Sequence, residues 1–389
     1  QTGNNQIGNF GSIALVSPDN YVIDETLLSG SYTATSPNPD LSWETNTSLN
    51  FGVDLRFLDS KIQVSAEYYQ AKTDNLLLQV PVPQQSGFSN SLQNIGELEN
   101  KGFELELKGI GFSLGNVNMN FNANISTNEN KVLALAPGQE QIIVGNGGMS
   151  FLTRVGESIA QFYAYDIIGV YTNQAEIDNE AITPLSGTEV GDYIVRDANG
   201  DGQITPDDRV ILGDYNPDFT YGFGVSLNYK GFDLNAQFTG VEGRKAADRM
   251  VYFAESGEGF FVPTQHYFDN YFNDRNANGF FRRPDFSSFS SAGRLTRASS
   301  LSVLDADYFR LRSLQLGYSL PDTTISYLGM DQLRVYLTGN NIFNISDYRG
   351  YNPDGIDTRT NSTQTLTRGW IQTTSPLTRF VALGVNVKF

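Results

Sequence analysis

The sequence predicts an all-β protein, an antiparallel transmembrane β-barrel, on three observations. Nine segments alternate apolar and polar residues over a length that suits a bilayer. Their connections alternate between short and long. No run approaches the ~20 apolar residues a membrane helix requires, and mean hydropathy is −0.31, so a membrane-embedded form of this chain crosses with strands.

Residues 1–45 are rich in Gly, Asn, Ser and Pro and carry only short apolar runs such as 13–16, so they read as a loop. From 47 to 57 the apolar set is Leu49, Phe51, Val53, Leu55 and Phe57, with Asn50, Gly52, Asp54 and Arg56 between. Strand side chains point to alternate faces, so this is one apolar and one polar face. After a turn at 58–61, Ile62, Val64, Ala66 and Tyr68 repeat the pattern and complete a hairpin. Phe103, Leu105 and Leu107 then alternate with Glu104, Glu106 and Lys108. Beyond a turn placed near 111–115, Val117, Met119, Phe121, Ala123 and Ile125 alternate with Asn118, Asn120, Asn122 and Asn124. A third hairpin joins 219–229 to 232–238 across Lys230 and Gly231, and a fourth joins 307–320 to 333–343 across a turn holding Pro321 and Gly329. In the fourth, Phe309 and Leu311 break the parity of Leu314, Leu316 and Tyr318. The ninth strand, 377–389, sets Leu377, Val381, Leu383, Val385, Val387 and Phe389 on one face and Thr378, Gly384, Asn386 and Lys388 on the other. Arg379 and Phe380 sit out of parity near its start.

These strands are roughly 11–14 residues long, against ~5–6 in globular domains. At about 3.3 Å per residue and a tilt near 45°, ~13 residues cross ~30 Å. Short turns near residues 59, 112, 230 and 325 alternate with loops over about 73–99, 129–216, 244–304 and 344–375, the asymmetry of bacterial barrels. A sandwich has no physical reason to sort its loops so; a secreted, calcium-stabilised β-sandwich adhesin or carbohydrate-binding module is the alternative reading. With the last strand descending to the periplasm, all four short turns fall on that side and residues 1–45 form an extracellular loop segment, leaving 46–389 as barrel. Nine strands is odd, whereas single-chain bacterial barrels are even. The expectation is therefore the C-terminal portion of a larger barrel, with Gln1 reached by processing or as the start of a fragment.

The formal net charge of −17 over 389 residues, with no basic stripe, argues against a nucleic-acid partner. Zero Cys removes disulfide frameworks, zinc-thiolate sites and thiol nucleophiles together. Charged residues at 18% and aromatics at 12% make a chain that is polar without being highly charged, as long strands with aromatic belts require.

The strongest local motif is DANGDGQITPDD at 197–208, which follows the D-x-N-x-D-G calcium-loop pattern. Oxygen ligands at loop positions 1, 3, 5, 7, 9 and 12 would be Asp197, Asn199, Asp201, Gln203 through its backbone carbonyl, Thr205 and Asp208. Gly202 supplies the turn at position 6. Asp in place of Glu at position 12 weakens such a site, and no flanking amphipathic helices are evident, so this is an EF-hand-like loop whose alternative is an Asp/Asn/Gly turn without metal. Ca²⁺ would rigidify the long loop 129–216. The lone His266, among Tyr267, Phe268, Tyr271 and Phe272, reads as a packed or exposed loop residue. Glu104 and Glu106, about 7 Å apart by strand geometry, have a spacing permissive for a glycosidase pair, as do Glu97 and Glu99, but read better as lumen-facing polar residues. No Gly-x-Ser-x-Gly, phosphate loop or dinucleotide fingerprint is present, and no catalytic residue is assigned. Phe260, Phe261, Tyr267, Phe268, Tyr271, Phe280, Phe281, Phe286 and Phe289 read mostly as loop core, because a loop of about 60 residues must bury something to stay ordered. Tyr68, Tyr229, Phe232 and Phe389 are placed near strand ends by turns, as girdle residues.

The chain resembles the SusC/RagA family of TonB-dependent outer-membrane transporters of Bacteroidetes. The resemblance lies in NPDLSWE (38–44), NIGELENKGFELEL (94–107), DANGDGQITPDD (197–208), GDYNPDFTYGFG (213–224), YFRLRSLQLGYSLP (308–321), LTGNNIF (337–343) and YRGYNPD (348–354), spread over most of the chain in the family's order. It implies a 22-strand barrel with an N-terminal plug, of which these are the last nine strands. It further implies a SusD-like surface lipoprotein as lid, and energy-coupled import of a bulky nutrient. The Asn-, Gln-, Ser- and Thr-rich polar face suits an oligosaccharide better than a peptide. The plug and the TonB box have no counterpart in these residues, so coupling to TonB-ExbB-ExbD would run through a region absent here. By resemblance to other outer-membrane proteins, Phe389 would be the residue the barrel-assembly machinery reads.

Overall fold

The computed structural model describes residues 11–136, 138–146, 148–179, 181–257, 262–273, 275–284, 298–325, 327, 329–355, 364–372 and 374–389. Nine long strands form the wall: β1 (Thr45–Phe57), β2 (Ile62–Asp74), β3 (Glu97–Leu114), β4 (Val117–Thr127) and β5 (Phe219–Tyr229). They continue as β6 (Phe232–Glu242), β7 (Tyr308–Ser319), β8 (Gln332–Asn340) and β9 (Phe380–Lys388). Each pairs antiparallel with its neighbours in chain order, with β1 and β9 at the two edges. The sandwich alternative fails here, because among the described residues the apolar face packs on no second sheet: Phe51 is 70% exposed and Leu383 74%.

The register explains why the alternation is so clean. Val53, Ala66, Leu105, Ile125 and Tyr221 stand opposite one another across five strands, a continuous apolar row. A one-residue slip in any pair would turn one strand's apolar set into the polar face. Asn118, Asn120, Asn122 and Asn124 lie on that polar face beside Asn228, Ser226, Gly224 and Gly222. Aromatic side chains collect on the apolar face at two heights. Phe232 packs at a tilt against Tyr318 at 4.5 Å near the tight turns, while Phe223, Phe238 and Phe309 stack toward the loop end at 4.5 and 5.7 Å. Tyr229 and Phe232 flank the Lys230-Gly231 turn as expected, but Tyr68 lies at mid-strand opposite Phe51 and Phe103.

Two bulges account for the irregular segments. In β7, Ser313 pairs with Gln237 and Leu311 with Phe238, so Arg312 is an extra residue. This is the parity break between Leu311 and Leu314; the bulge restores both to the apolar face. In β3, Gly109 pairs with Phe121 and Phe112 with Met119. Ile110 and Gly111 therefore oppose Asn120 alone, Gly111 taking φ +69 and donating its N–H to Asn120 Oδ1 at 2.8 Å. The strand runs on to Leu114, so the turn expected at 111–115 contracts to residues 115–116.

The loops hold most of what is buried. Residues 1–45, read as a loop, carry an exposed hairpin, Val16–Ile23 with Thr26–Thr33; its alternation is interrupted by Pro18, Asp19 and Asn20 and gave little signal. The 73–99 connection is a hairpin of Leu77–Pro81 with Asn90–Asn94. Loop 129–216 adds a strand to β3 (Glu129–Ala134) and builds a four-stranded sheet. Its buried Met149, Phe151 and Phe162 pack with Tyr252 and Trp370 from two other loops. A second cluster joins Ala246, Val251, Leu304, Tyr348 and Ile371. No described helix is long and apolar enough to cross a membrane.

Candidate functional site

All the long connections leave from the end of the wall opposite the tight turns, and the chemistry-bearing residues gather there or along the polar face. The EF-hand-like loop is formed as a closed unit of backbone-to-carboxylate bonds. Asp197 accepts from Gly200 N at 2.7 Å and Gly202 N at 2.9 Å. Asn199 Oδ1 accepts from Asp201 N, and Asp201 Oδ1 from Gln203 N, both at 2.8 Å. Asp208 is fully buried and accepts from Ala198 N and Thr205 N, closing a capping box with Thr205 over the turn Pro206–Asp208. Gly200 and Gly202 take φ +77 and +79, the left-handed conformation the tight course requires. Ile204 is buried with Tyr165 and Val195 beneath the loop, and its N–H donates to Thr183 O at 3.0 Å. The side-chain oxygens of Asp197, Asn199, Asp201, Thr205 and Asp208 thus each accept a bond from within the loop itself. Asn199 Nδ2 binds Asp201 Oδ2 at 3.1 Å, and among the described residues no three acidic or imidazole groups gather as a metal cage.

The aromatic loop cluster divides into core and surface. Tyr267 and Phe281 are buried, while Phe268 and Phe280 are exposed; Phe260, Phe261, Phe286 and Phe289 lie outside the described residues. His266, in the helix Gln265–Asn270, packs its ring edge-on to Phe281 and sits 3.4 Å from the buried Glu255 carboxylate, which also faces Arg349 at 3.2 Å. It is a half-buried loop residue beside a buried carboxylate. Burial raises the Tyr267 and Tyr193 hydroxyl pKa values. For Tyr348, burial and then the Asp248 carboxylate it bonds at 2.6 Å act in the same direction.

The Glu pairs are engaged as wall residues. Glu106 pairs with Lys108 at 2.8 Å and Glu104 accepts from Ser126 at 3.3 Å. Glu97 and Glu99, contrary to the lumen-facing expectation, share the face of Phe103 and Leu105, where Glu97 pairs with Lys72 and Glu99 accepts from Gln70. Further along the polar face, Arg334 reaches from β8 over β7 to grip both oxygens of Asp233 on β6, at 2.9 and 2.6 Å. Gly317 makes that crossing possible, since a Cβ there would lie 2.4 Å from Asp233 Oδ1. Phe389 lies beyond the end of β9 and is 81% exposed.

One constellation was invisible in the sequence. Asp354 binds Arg244 at 3.1 Å and Arg310 at 2.8 Å, and both guanidinium-bearing side chains are only 9% exposed. Arg244 also donates to Pro353 O and lies over the Tyr215 ring; Arg310 donates to Asn344 and lies over Tyr308. The clasp ties loop 344–375 to the rim at β7 and to loop 244–304. Its members are separated by 44 and 110 residues, beyond any local pattern; YNPDG at 351–355, with its turn residues, was the available signal.

A family model described as TonB dependent receptor-like, beta-barrel matches residues 9–342. TonB-dependent receptor P3 of Formosa agariphila is 33% identical over 395 residues, covering 100% of this chain and 38% of that protein. TonB-dependent receptor SusC of Bacteroides thetaiotaomicron is 27% identical over 336 residues, covering 82% and 31%. Among solved structures, the RagAB peptide transporter superposes with a TM-score of 0.74 at 24% identity, over 100% of this chain and 40% of that one. The chain therefore spans about two-fifths of the length of the relatives it matches.

Proposed function

The chain belongs to the TonB-dependent receptor-like β-barrel family of the outer membrane, with SusC among its homologues, and from that premise we propose that it works in active import of a bulky nutrient. The observation that carries this is the wall itself: nine antiparallel strands with an apolar outer face, a polar inner face, and structured loops confined to one end. An apolar face that packs on nothing finds its solvent in lipid. The inner face carries Asn118, Asn120, Asn122, Asn124 and Gln237 beside the paired charges Glu106–Lys108 and Asp233–Arg334, and its amide-rich lining favours a neutral oligosaccharide as cargo. A peptide is the second reading, because the RagAB structures it resembles in fold are those of a peptide importer. The loop layer would receive a SusD-like surface lipoprotein as lid. Energy would come from TonB-ExbB-ExbD, in keeping with the TonB-dependent receptors it resembles. Within this reading Ca²⁺, held by Asp197, Asn199, Asp201, Gln203, Thr205 and Asp208, would stiffen loop 129–216.

The test is uptake by cells lacking the gene and complemented with it, supplied with fluorescent oligosaccharides or peptides. Uptake that returns with the gene and stops when the proton gradient is collapsed supports import. Accumulation that ignores the gradient overturns it.

A further inference from the structure

The segment leading into β1 and the 77–94 hairpin border an open cavity of about 380 Å³ at the loop end of the wall. Its volume falls in the range of small-ligand sites, roughly 300–1,000 Å³. The walls are held by bonds that leave other groups free. Asn38 donates to Leu92 O at 2.9 Å and accepts from Asp40 N at 3.1 Å. Asn94 accepts from Ser42 N at 2.7 Å and donates to Ser42 O at 2.8 Å. Three of these bonds, all but the one from Asp40 N, pin the two segments across more than 50 residues of sequence.

Ser91 and Gln93 line this cavity and stand opposite Val80 and Leu78 in the hairpin register. Val80 and Leu78 belong to a hydrophobic core, so two polar residues occupy positions where the same face is otherwise apolar. Ser91 is only 6% exposed. Neither side chain has a hydrogen-bond partner among the described residues, nor does the carboxylate of Asp40 at the cavity's edge. Buried polar groups are ordinarily paired; of these three only Ser91 is buried, while Gln93 is half-buried and Asp40 exposed. A buried hydroxyl left unpaired at the opening of a core, with an amide and a carboxylate open beside it, is what a ligand would satisfy.

The lining also selects the ligand's class. No Lys, Arg or His lines the cavity, which disfavours an anion, and Asp40 is the only acidic lining residue, too few for a metal. A hydroxyl, an amide and a carboxylate without partners offer both donor and acceptor positions, and Pro37, Val82 and Ile95 supply apolar contact. We propose that this cavity is a binding subsite for a neutral, hydroxyl-rich ligand, the end of an oligosaccharide, on the outer rim of the importer. The proposal rests on the import reading and names a place where cargo is first held.

Calorimetry on the complete protein in detergent tests it, with maltotriose, cellotriose and laminaritriose as probes and trialanine as the peptide control. Two variants keep side-chain volume while removing the polar group, Ser91→Val and Gln93→Leu, with the heat-modifiable barrel band checking that each is folded. Both extend an apolar face, so a purely structural role would leave binding untouched. The expected result is saturable binding of at least one trisaccharide, weakened about tenfold by each variant. Equal affinity in wild type and both variants would overturn the subsite while leaving import standing. Trialanine binding that the variants abolish, with no trisaccharide bound, would overturn the saccharide class and point the import reading to peptides.

Discussion

Asp354→Ala removes the carboxylate held between Arg244 and Arg310, and its consequence can be estimated from their surroundings. Both arginine side chains are 9% exposed, and breaking a buried pair by deleting one partner costs about 3–5 kcal/mol because the remaining charge is left uncompensated. Here two charges are left. Arg244 keeps its bonds to Ala306 O and Pro353 O, and Arg310 keeps Asn344 and the Tyr308 ring. Asp354 itself is 32% exposed, so water reaches the site and the lower figure applies. A loss of about 3 kcal/mol is roughly a hundredfold in the opening equilibrium of the clasped loops. Amide exchange by mass spectrometry reads it directly: peptides spanning 344–355 and 244–248 should exchange about a hundredfold faster, and peptides within β6 should not change. Asp354→Asn, which keeps size and one acceptor oxygen, should fall between. Exchange in the loops within about threefold of wild type would refute the clasp, and equal acceleration in β6 would show a global effect instead.

If Ca²⁺ occupies the 197–208 loop, adding it to chelated protein should slow proteolysis of 129–216, and Asp201→Ala should abolish that protection; identical cleavage with and without calcium refutes the site. Burial raises the Asp214 carboxyl pKa against the opposing bond from Asn216 N. A raised acid favours the folded state while protonated, so its contribution is present at low pH and is lost as pH rises through the folded value. Asp214→Asn should therefore flatten the fall in loop-layer stability above the ordinary carboxyl range; an unchanged pH profile of thermal melting would count against it. Phe389→Ala should lower the amount of assembled barrel in the outer membrane without altering ligand affinity in the fraction that assembles, measured by surface labelling and calorimetry; normal surface levels refute an assembly role.

How far the fold was legible follows from which interactions are local. The period-two alternation of β1, β2, β4, β5, β6 and β9 is written in consecutive residues, because one face meets one solvent and the other face another. Even the β7 bulge left its trace in the parity break at Leu311 and Leu314. The β3 bulge did not, since glycines on both sides of Phe112 imitate a turn. Strands of two to six residues in the loops, such as Trp370–Ile371 in parallel pairing with Lys245–Asp248, are too short for a period to be read. The position of that pair depends on a contact more than a hundred residues apart. The 197–208 turn was legible because its bonds lie within one continuous dodecapeptide. The Asp354 clasp and the polar cavity were not, because each needs segments that only the fold brings together.

The distribution of burial between wall and loops has a single physical cause. In a soluble domain the apolar face of a sheet must be covered by another layer, and the wall strands here have none: Leu49, Phe51, Leu383 and Val385 are all exposed. Lipid takes the place of that layer, so the wall needs hydrogen-bonded register rather than side-chain packing to hold its form. The loops project from that solvent into water and must supply a core of their own. They do so by sharing one, with Phe151 and Phe162, Tyr252, and Trp370 contributed by three separate connections. Cooperative packing among connections that are independent in sequence makes the loop layer one body seated on the rim. A ligand or a lid that touches one of these loops can then be felt by the other two, whereas the wall strands beneath, tied by backbone bonds, need not move.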